Sequence, residues 1–442
     1  MKRTIRKMLA VTVAVGTMAV IPIGYAEDNI AEAAAKQESM APEKVEGASV
    51  KEKTEKGYEL LKKGSYKEAK VIFEQILESE PQNLEAYSML GWAYAGLKDE
   101  KQAVWNCNKA IEMEPQNAVF YKNRGLAYRI LGNTEKSIED YTKAIEIDPK
   151  YAKAYRNRGD TYRKMKDTEK AINDYTKAIE LNPEYLLAYY SRASMYLKLE
   201  KYESAVDDYT KVIELGDKSA YATRAVIYLK MGDYAKAIPD LTKALEQKPD
   251  DEKLYSTRGA AYASLKEYAK ALDDCTKVLQ LNPQNELVFR MRGTIYKELK
   301  EYTKAVEDFS KVIELNPKNK TAYADRGNVY ILMKEYSNAV EDCTKLLEFD
   351  SGNAEVYCVR GFAYGALGEV AKSIDDYTKA IELKPDYEEV YLRRALTYAA
   401  LGDREKAKAD LEIVQKLASK RGEKIEDLQI SEIKIYAPKQ NS

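Results

Sequence analysis

The sequence predicts an all-α fold of about eleven stacked helix–turn–helix repeats, because small, aromatic and proline residues recur together at one period. Eight prolines fall on a 34-residue period, with one interval of 66 and one of 68 residues: Pro81, Pro115, Pro149, Pro183, Pro249, Pro283, Pro317 and Pro385. Such self-similarity is typical of small units that bury their apolar faces against neighbouring units, rather than around one core.

Each repeat predicts two amphipathic helices. With Val50 as position 1, position 4 is aromatic in the last ten repeats, position 8 is Gly or Ala in all eleven, and position 11 is Tyr in the last ten. This spacing lies on one helix face. Small position 20 and aromatic, Cys or Leu position 24 predict the second helix. Glycines indicate the turn between the halves: Gly132, Gly232, Gly368 and Gly402.

This arrangement over residues 50–421 resembles the tetratricopeptide repeat (TPR), which places an aromatic residue, Gly, Tyr, Ala, an aromatic residue and Pro at these offsets. The resemblance implies antiparallel helix pairs stacked into a right-handed superhelix, with the first helices lining a concave groove. It also implies a non-catalytic scaffold that binds a protein or peptide segment in that groove.

The segments outside the repeats have their own composition. Residues 1–26 combine a basic start with an uncharged run at 8–23, which is shorter than the ~20 residues of a membrane span, and therefore predict a signal peptide. We accordingly expect a periplasmic or extracellular protein. An uncleaved anchor, making the chain a membrane-tethered envelope assembly factor, is the alternative. Residues 27–49 predict a disordered or weakly helical linker, and residues 422–442 a capping segment and tail.

One region interrupts the regular period. Repeat 5, residues 186–217, is two residues shorter than the others and lacks its terminal proline, and Pro239 lies inside the second helix of repeat 6. Since an internal proline favours a kink, we predict an irregularity at 215–240 between a basic-grooved and a more apolar arm. The apolar arm has Ile331, Leu332, Phe362, Leu392 and Leu396 at groove positions, for a partner or for residues 424–436.

Arginine at position 7 and aspartate at position 23 occur together in repeats 3 to 11, and both are missing from repeats 1 and 2. Because the two positions lie level in an antiparallel helix pair, we predict a structural ion pair inside each repeat. Four of the nine predicted pairs are Arg124 with Asp140, Arg158 with Asp174, Arg258 with Asp274, and Arg326 with Asp342.

In the TPR family, positions 2, 5, 6, 9, 12 and 13 of the first helix face the groove. In repeats 3 and 4 these positions are mostly basic or amide, opposed by Asp160 alone; we call them the basic strip: Lys122, Asn123, Arg129, Lys153, Arg156, Asn157, Arg163 and Lys164. The strip resembles a carboxylate clamp, although Leu126 replaces a clamp asparagine, and it predicts binding of an acidic segment or C-terminal carboxylate. The alternative is a solvated helix surface.

Composition argues against catalysis. The chain contains no histidine, and its cysteines Cys107, Cys275, Cys343 and Cys358 form no C-x-x-C motif, so we predict neither enzyme nor cofactor nor metal site. Export would allow a disulfide between Cys343 and Cys358. An enzyme that uses carboxylate chemistry is the remaining alternative. A formal net charge of -1 gives no overall attraction to nucleic acid.

Overall fold

The computed structural model describes residues 49–420, which form twenty-two α-helices and, within that range, no strand. The helices are α1 Val50–Lys63, α2 Tyr66–Ser79, α3 Leu84–Gly96, α4 Glu100–Met113, α5 Ala118–Leu131, α6 Thr134–Ile147, α7 Ala152–Lys164, α8 Thr168–Leu181, α9 Leu186–Lys198, α10 Tyr202–Glu214, α11 Ala220–Lys230, α12 Tyr234–Gln247, α13 Glu252–Ser264, α14 Tyr268–Leu281, α15 Glu286–Glu298, α16 Tyr302–Leu315, α17 Lys320–Met333, α18 Tyr336–Phe349, α19 Ala354–Ala366, α20 Val370–Leu383, α21 Glu388–Ala400 and α22 Arg404–Lys420.

Each repeat contributes one pair of packed helices, and the second helix of a pair packs against the first helix of the next pair within each unit described below. This arrangement confirms the predicted all-α solenoid. Helix starts coincide with the predicted repeat starts except in repeat 6, where α11 begins at Ala220 instead of Lys218. The difference follows from the shortened repeat 5, whose turn holds Gly216 at a φ of 98°.

The turn inside every repeat depends on one residue with positive φ at position 15. Glycine supplies it in five repeats, and the other six use a residue with a side chain: Lys98, Lys166, Glu200, Lys266, Lys300 and Lys334. The next amide closes the helix by donating back to position 11, as Asn133 N does to Tyr128 O at 2.9 Å. This capping bond offsets the ~1 kcal/mol cost of the left-handed conformation, so residues other than glycine can occupy position 15. The glycines of the sequence therefore indicated only some of the turns.

Small residues at position 8 allow the two helices of a repeat to approach closely. A Cβ atom added to Gly91 would lie 2.2 Å from Cys107 Sγ and 2.9 Å from the carbonyl oxygen of Ala103. The position 24 side chains that fill this space are fully buried aromatics in five repeats: Phe73, Tyr141, Tyr175, Tyr209 and Phe309. The core is therefore a row of small-against-large contacts, one per repeat.

The described chain divides into two compact units, residues 49–249 and residues 250–420. The first unit contains α1 to α12 and the second α13 to α22. Within the first unit, α11 has eleven residues, and α12 continues through Pro239 for fourteen residues. The kink at Pro239 and the basic and apolar arms that meet at 215–240 stay predictions.

The predicted signal peptide, nearly all of the linker and the capping segment lie outside the described residues. Ser49, the last linker residue, caps α1: its Oγ accepts a hydrogen bond from Glu52 N at 3.4 Å, and Ser49 N donates to Glu52 Oε2 at 2.8 Å. None of the helices between residues 49 and 420 combines the length and apolar character needed to cross a bilayer.

Candidate functional site

A buried arginine–aspartate pair lies inside each of repeats 3 to 11. Nε donates to Oδ2 at 2.7–3.0 Å and the second terminal nitrogen donates to Oδ1 at 2.6–2.8 Å. The pairs are Arg124–Asp140, Arg158–Asp174, Arg192–Asp208, Arg224–Asp240, Arg258–Asp274, Arg292–Asp308, Arg326–Asp342, Arg360–Asp376 and Arg394–Asp410. Two parallel bonds fix both the distance and the rotation of the two helices.

The remaining guanidinium nitrogen reaches the preceding repeat, which the sequence reasoning did not predict. Arg326 Nη1 donates to Ser310 Oγ on α16 at 2.9 Å. The same bond to position 25 of the preceding repeat occurs in six further pairs: Arg124–Asn108, Arg158–Thr142, Arg192–Thr176, Arg224–Thr210, Arg360–Thr344 and Arg394–Thr378. Each of these arginines therefore joins three helices. The hydroxyl or amide residue at position 25 was the feature of the sequence that could have predicted this bond.

The paired side chains are largely removed from solvent. The aspartates are 2–6% exposed, and the arginine side chains 15–22%. Burial raises the pKa of four of the aspartates, although the paired guanidinium opposes it: Asp140, Asp208, Asp308 and Asp342. Each arginine also lies 5.5–5.8 Å from the centroid of the aromatic ring at position 4 of its repeat. The pairs therefore have a structural role, since each aspartate carboxylate already accepts two hydrogen bonds from its arginine.

The basic strip divides into residues tied to the protein and residues that are not. Asn123 belongs to the first group, since it is 1% exposed and its Nδ2 donates to Ser88 Oγ on α3 at 2.6 Å. Asn123 therefore contacts the preceding first helix, and a role for it in peptide binding stays a prediction. Asn157 is half-buried and accepts a 3.3 Å bond from Arg156 Nη1.

Asp160 organises the second half of the strip. Its carboxylate is 5% exposed, lies 3.2 Å from Arg156 Nη2 and accepts a 2.8 Å hydrogen bond from the Tyr175 hydroxyl. The exposed Arg163 lies farther away, with 4.0 Å between its Nε and Asp160 Oδ1. The charge of Arg156 is therefore compensated inside the protein, whereas that of Arg163 is compensated only weakly.

Four cations of the strip have no acidic partner at ion-pair distance among residues 49–420: Lys122, Arg129, Lys153 and Lys164. Lys122 and Arg129 are half-buried on α5, and Lys153 is exposed on α7. Burial, together with the neighbouring charge of Lys153, lowers the pKa of Lys122 to about 8. The exposed Lys164 donates to the carbonyl oxygen of Arg129 at 3.3 Å. This part of the surface carries concentrated positive charge.

Four buried polar atoms in repeats 3 and 4 have no hydrogen-bond partner within the described chain: Asn123 Oδ1, Arg129 Nε, Tyr141 OH and Arg156 Nε. Tyr141 is fully buried, which raises the pKa of its hydroxyl to about 12 although the charge of Arg129 lowers it. Because an unpaired buried polar group costs about 1–3 kcal/mol, such a group normally has a partner. Asn123 and Tyr141 are too deeply buried to meet a ligand, whereas Arg129 and Arg156 are half-buried on the first helices.

Family models described as "Tetratricopeptide repeat" match residues 60–121, 106–139, 152–185, 174–207, 219–251, 252–285, 288–319, 321–353, 354–387 and 388–421, and one described as "TPR repeat" matches 125–166. The chain belongs to the TPR family. The family resemblance of the sequence is thereby confirmed, and a role in protein interaction follows from it.

Solved structures similar to this TPR protein include YrrB, titled "a TPR protein with an unusual peptide-binding site", at 26% identity over 42% of this chain and 96% of that chain, with a TM-score of 0.37. MamA is 23% identical over 37% and 96% of the two chains, with a TM-score of 0.36. A TPR protein from Parabacteroides merdae is 25% identical over 56% and 99%, with a TM-score of 0.35. No curated protein sequence matched the chain.

The groove positions of repeats 1 and 2 of this TPR protein hold an aromatic pair that the sequence reasoning passed over. The rings of Tyr58 and Trp92, both half-buried at position 9, are edge to face with centroids 5.9 Å apart. Lys62 Nζ lies 4.3 Å from the Tyr58 ring centroid. Their shared position 9 was the available signal, but the basic residues of repeats 3 and 4 form the more conspicuous sequence pattern.

The apolar residues predicted to line the groove of repeats 9 to 11 do not form one surface. Ile331 is 9% exposed and Leu392 3%, and both pack in the core. Leu332 is 52% exposed, whereas the half-buried Phe362 has Arg393 at 5.1 Å from its ring centroid. The first helices within residues 250–420 therefore expose less apolar surface at their groove positions than the sequence predicted.

The cysteines are buried and free, so the Cys343–Cys358 disulfide considered from the sequence is not formed. Burial raises the pKa of the Cys107, Cys275 and Cys343 thiols to about 12 and that of Cys358 to about 11, which keeps them protonated and unreactive near neutral pH. Residues 49–420 contain no group of three or more Cys, Asp or Glu side chains placed to hold a metal ion.

We expect the interaction between Arg326, Asp342 and Ser310 to be strongly asymmetric. Arg326→Leu leaves the 2% exposed carboxylate of Asp342 unpaired, so it should destabilise the protein by about 3 kcal/mol. Adding Asp342→Asn should recover part of that loss. Ser310→Ala removes one neutral partner and should cost about 1 kcal/mol. Chemical denaturation of the four proteins tests this order, and equal losses for the single and double variants would contradict the pairing.

Proposed function

We propose that this TPR protein is an exported, non-catalytic scaffold that binds an acidic peptide segment, or the carboxylate at a peptide C-terminus, on the basic strip of repeats 3 and 4. The observation that carries the proposal is the set of four cations without acidic partners on the neighbouring helices α5 and α7: Lys122, Arg129, Lys153 and Lys164. An anionic ligand would accept hydrogen bonds from these cations and relieve the repulsion among them.

The local geometry supports a linear ligand. Lys122 and Arg129 are seven residues apart and therefore lie on one face of α5, two turns from each other. Lys153 lies on α7, the next first helix, close enough to Lys122 to lower its pKa. The cations thus extend across two neighbouring first helices, as several carboxylates of an extended peptide would require.

Charge reversal at the two lysines should remove acidic-peptide binding without unfolding the protein. Neither Lys122 nor Lys153 is held by an ion pair, whereas Arg156 is paired with the buried Asp160 and is a poor site for this test. Lys122→Glu combined with Lys153→Glu should weaken binding of a synthetic polyglutamate peptide by at least about 100-fold, since each unfavourable contact costs about 1.4 kcal/mol or more. Isothermal titration calorimetry gives the affinities.

The matched control makes the same change in charge on the exposed Lys67 and Lys101, which belong to the second helices α2 and α4. Lys67→Glu with Lys101→Glu should leave the affinity within about twofold, because distant exposed charges are screened by salt. An equal loss in both double variants would show a general effect of net charge, and unchanged binding in the first would remove the strip as the site.

Ligand binding should also take up protons near pH 8. The pKa of Lys122 is lowered to about 8 in the free protein, and a bound carboxylate would raise it. The affinity gained from Lys122 is therefore fully present below pH 8 and decreases as the pH rises through and above that value. Calorimetry in buffers of different ionisation enthalpy should show proton uptake at pH 8, which Lys122→Gln should abolish; uptake unchanged by that variant would contradict the assignment.

Export rests on residues 1–26, which have the composition of a signal peptide. Cell fractionation followed by N-terminal sequencing should find a protein that begins near residue 27 in the periplasm or medium. An intact N-terminus in the membrane fraction would favour the alternative, a membrane-tethered envelope assembly factor. In either case, affinity capture from the same fraction identifies the partner, and loss of capture with the lysine double variant ties that partner to the strip.

A further inference from the structure

The segment that precedes α1 has the charge opposite to that of the basic strip. Residues 27–48, which we call the acidic segment, contain two basic residues and six acidic ones: Glu27, Asp28, Glu32, Glu38, Glu43 and Glu46. Their formal net charge is -4 over 22 residues. The acidic segment lies outside the described residues, which begin at Ser49. Its charge is a property of the sequence, and it favours attraction to a cationic surface of the same chain.

The segment at the other end of the chain lacks this charge. Residues 421–442 contain four acidic and four basic residues. They also follow α22, which belongs to the unit of residues 250–420, whereas the basic strip belongs to the unit of residues 49–249. Charge complementarity therefore selects the acidic segment, and not the C-terminal one, as a partner for the strip within this chain.

The acidic segment joins the repeats at the end of the first helices where two lysines of the strip lie. Ser49 is the N-cap of α1, so residue 48 meets the N-terminal end of that helix. Lys122 is the fifth residue of α5, and Lys153 is the second residue of α7. First helices of successive repeats run in the same direction, because every repeat has the same antiparallel helix pair. The segment and both lysines are therefore at the same end of these helices.

Contacts between successive first helices limit the distance that the acidic segment has to cover. The ring centroids of Tyr58 on α1 and Trp92 on α3 are 5.9 Å apart. Asn123 Nδ2 on α5 donates to Ser88 Oγ on α3 at 2.6 Å. Because packed helices lie about 10 Å apart, α5 is about 20 Å and α7 about 30 Å from α1.

The acidic segment is long enough for this distance in a helical or an extended conformation. A helix advances about 1.5 Å per residue and an extended chain about 3.3 Å, so residues 27–48 reach about 33 to 73 Å. Glu38, eleven residues before Ser49, reaches about 17 to 36 Å, which includes the distances to α5 and α7. A tethered ligand whose connection matches the span has an effective concentration on the order of millimolar.

We propose that the acidic segment occupies the basic strip of its own chain and has to be displaced before an external acidic peptide binds. This inference rests on the proposed function, because it gives the same strip an internal competitor. The cations without acidic partners then have carboxylate partners in the free protein, which relieves the repulsion between Lys122 and Lys153. A partner with few carboxylates is excluded, since it replaces too few of the internal contacts.

Neutralising the acidic segment should tighten the binding of an external peptide. The full chain in its processed form, which begins near residue 27, is compared with a variant in which all six acids become amides: Glu27→Gln, Asp28→Asn, Glu32→Gln, Glu38→Gln, Glu43→Gln and Glu46→Gln. Calorimetry with synthetic polyglutamate should show about tenfold tighter binding to the variant, because the competitor has lost its charge. The difference should decrease at high salt, which screens the internal contact.

The matched control makes the same change in charge on the exposed face of the second helices. Position 22 holds six exposed acids that have no basic partner at ion-pair distance within residues 49–420: Glu139, Asp207, Asp273, Glu307, Glu341 and Asp375. Converting these six to amides should leave the affinity within about twofold, because distant exposed charges are screened by salt. An equal gain in both variants would show an effect of net charge and overturn the internal competitor.

Zero-length cross-linking tests the contact directly. A carbodiimide joins a carboxylate to an amine only where the two groups touch, so mass spectrometry should find the acidic segment linked to Lys122, Lys153 or Lys164. The comparison residues are Lys143 and Lys177, which are exposed on the second helices of the same two repeats. Excess polyglutamate should remove the links to the strip. Equal linkage to the strip and to the comparison lysines, or none to the strip, would contradict the proposal.

Isotope labelling shows whether the contact is made within one chain. The cross-linking is repeated on a mixture of ¹⁵N-labelled and unlabelled protein. Links within one chain join two labelled or two unlabelled peptides. Links that join a labelled to an unlabelled peptide would assign the strip to a second copy of the chain, which overturns the inference.

The failure of this inference differs from the failure of the proposed function. If polyglutamate binds the processed chain and the neutralised variant with equal affinity, the strip remains the binding site and the internal competitor is overturned. If polyglutamate binds neither protein, the proposed function fails and the inference fails with it. Binding that is measurable only in the neutralised variant supports both.

Discussion

The fold depends on a buried guanidinium with three directed nitrogens. In most of the repeats that carry it, the arginine at position 7 holds the aspartate of its own repeat with two bonds and a hydroxyl or amide of the preceding repeat with the third. Desolvation makes an unpaired charge costly, so the register of the helix pair that satisfies these bonds is strongly favoured over any register that breaks them. A lysine could not replace it, because an ammonium lacks this planar arrangement of donors.

The same positional regularity explains what the groove can do. Regular positions 4, 7, 8, 11, 23 and 24 are used by the framework, so chemical variety is confined to the remaining positions of the first helices. In repeats 1 to 4 those positions carry an aromatic pair and a group of cations, two of which are half-buried. The framework therefore holds different side chains in the same geometry, and a small number of groove residues determine which ligand binds.

The repeats and both helices of each could be predicted because each depends on local periodicity, as the agreement of helix starts with predicted repeat starts shows. The side chains of the groove were harder to predict. Asn123 occupies a groove position of the family but is buried against Ser88, which depends on a contact between repeats, whereas Arg156 is neutralised by Asp160 one turn later on the same helix. Positive φ at Lys98 and Lys166 was missed since no glycine marks those turns.

The shared arginine makes the repeats exchangeable in evolution. Within each unit, a repeat such as the fourth carries an arginine that needs a position 25 acceptor before it and supplies Thr176 to the arginine that follows. Duplication or loss of one whole repeat of this kind would restore every bond at the new junction, leaving no charge stranded in the core. Gene rearrangement could therefore lengthen or shorten such a unit without compensating substitutions.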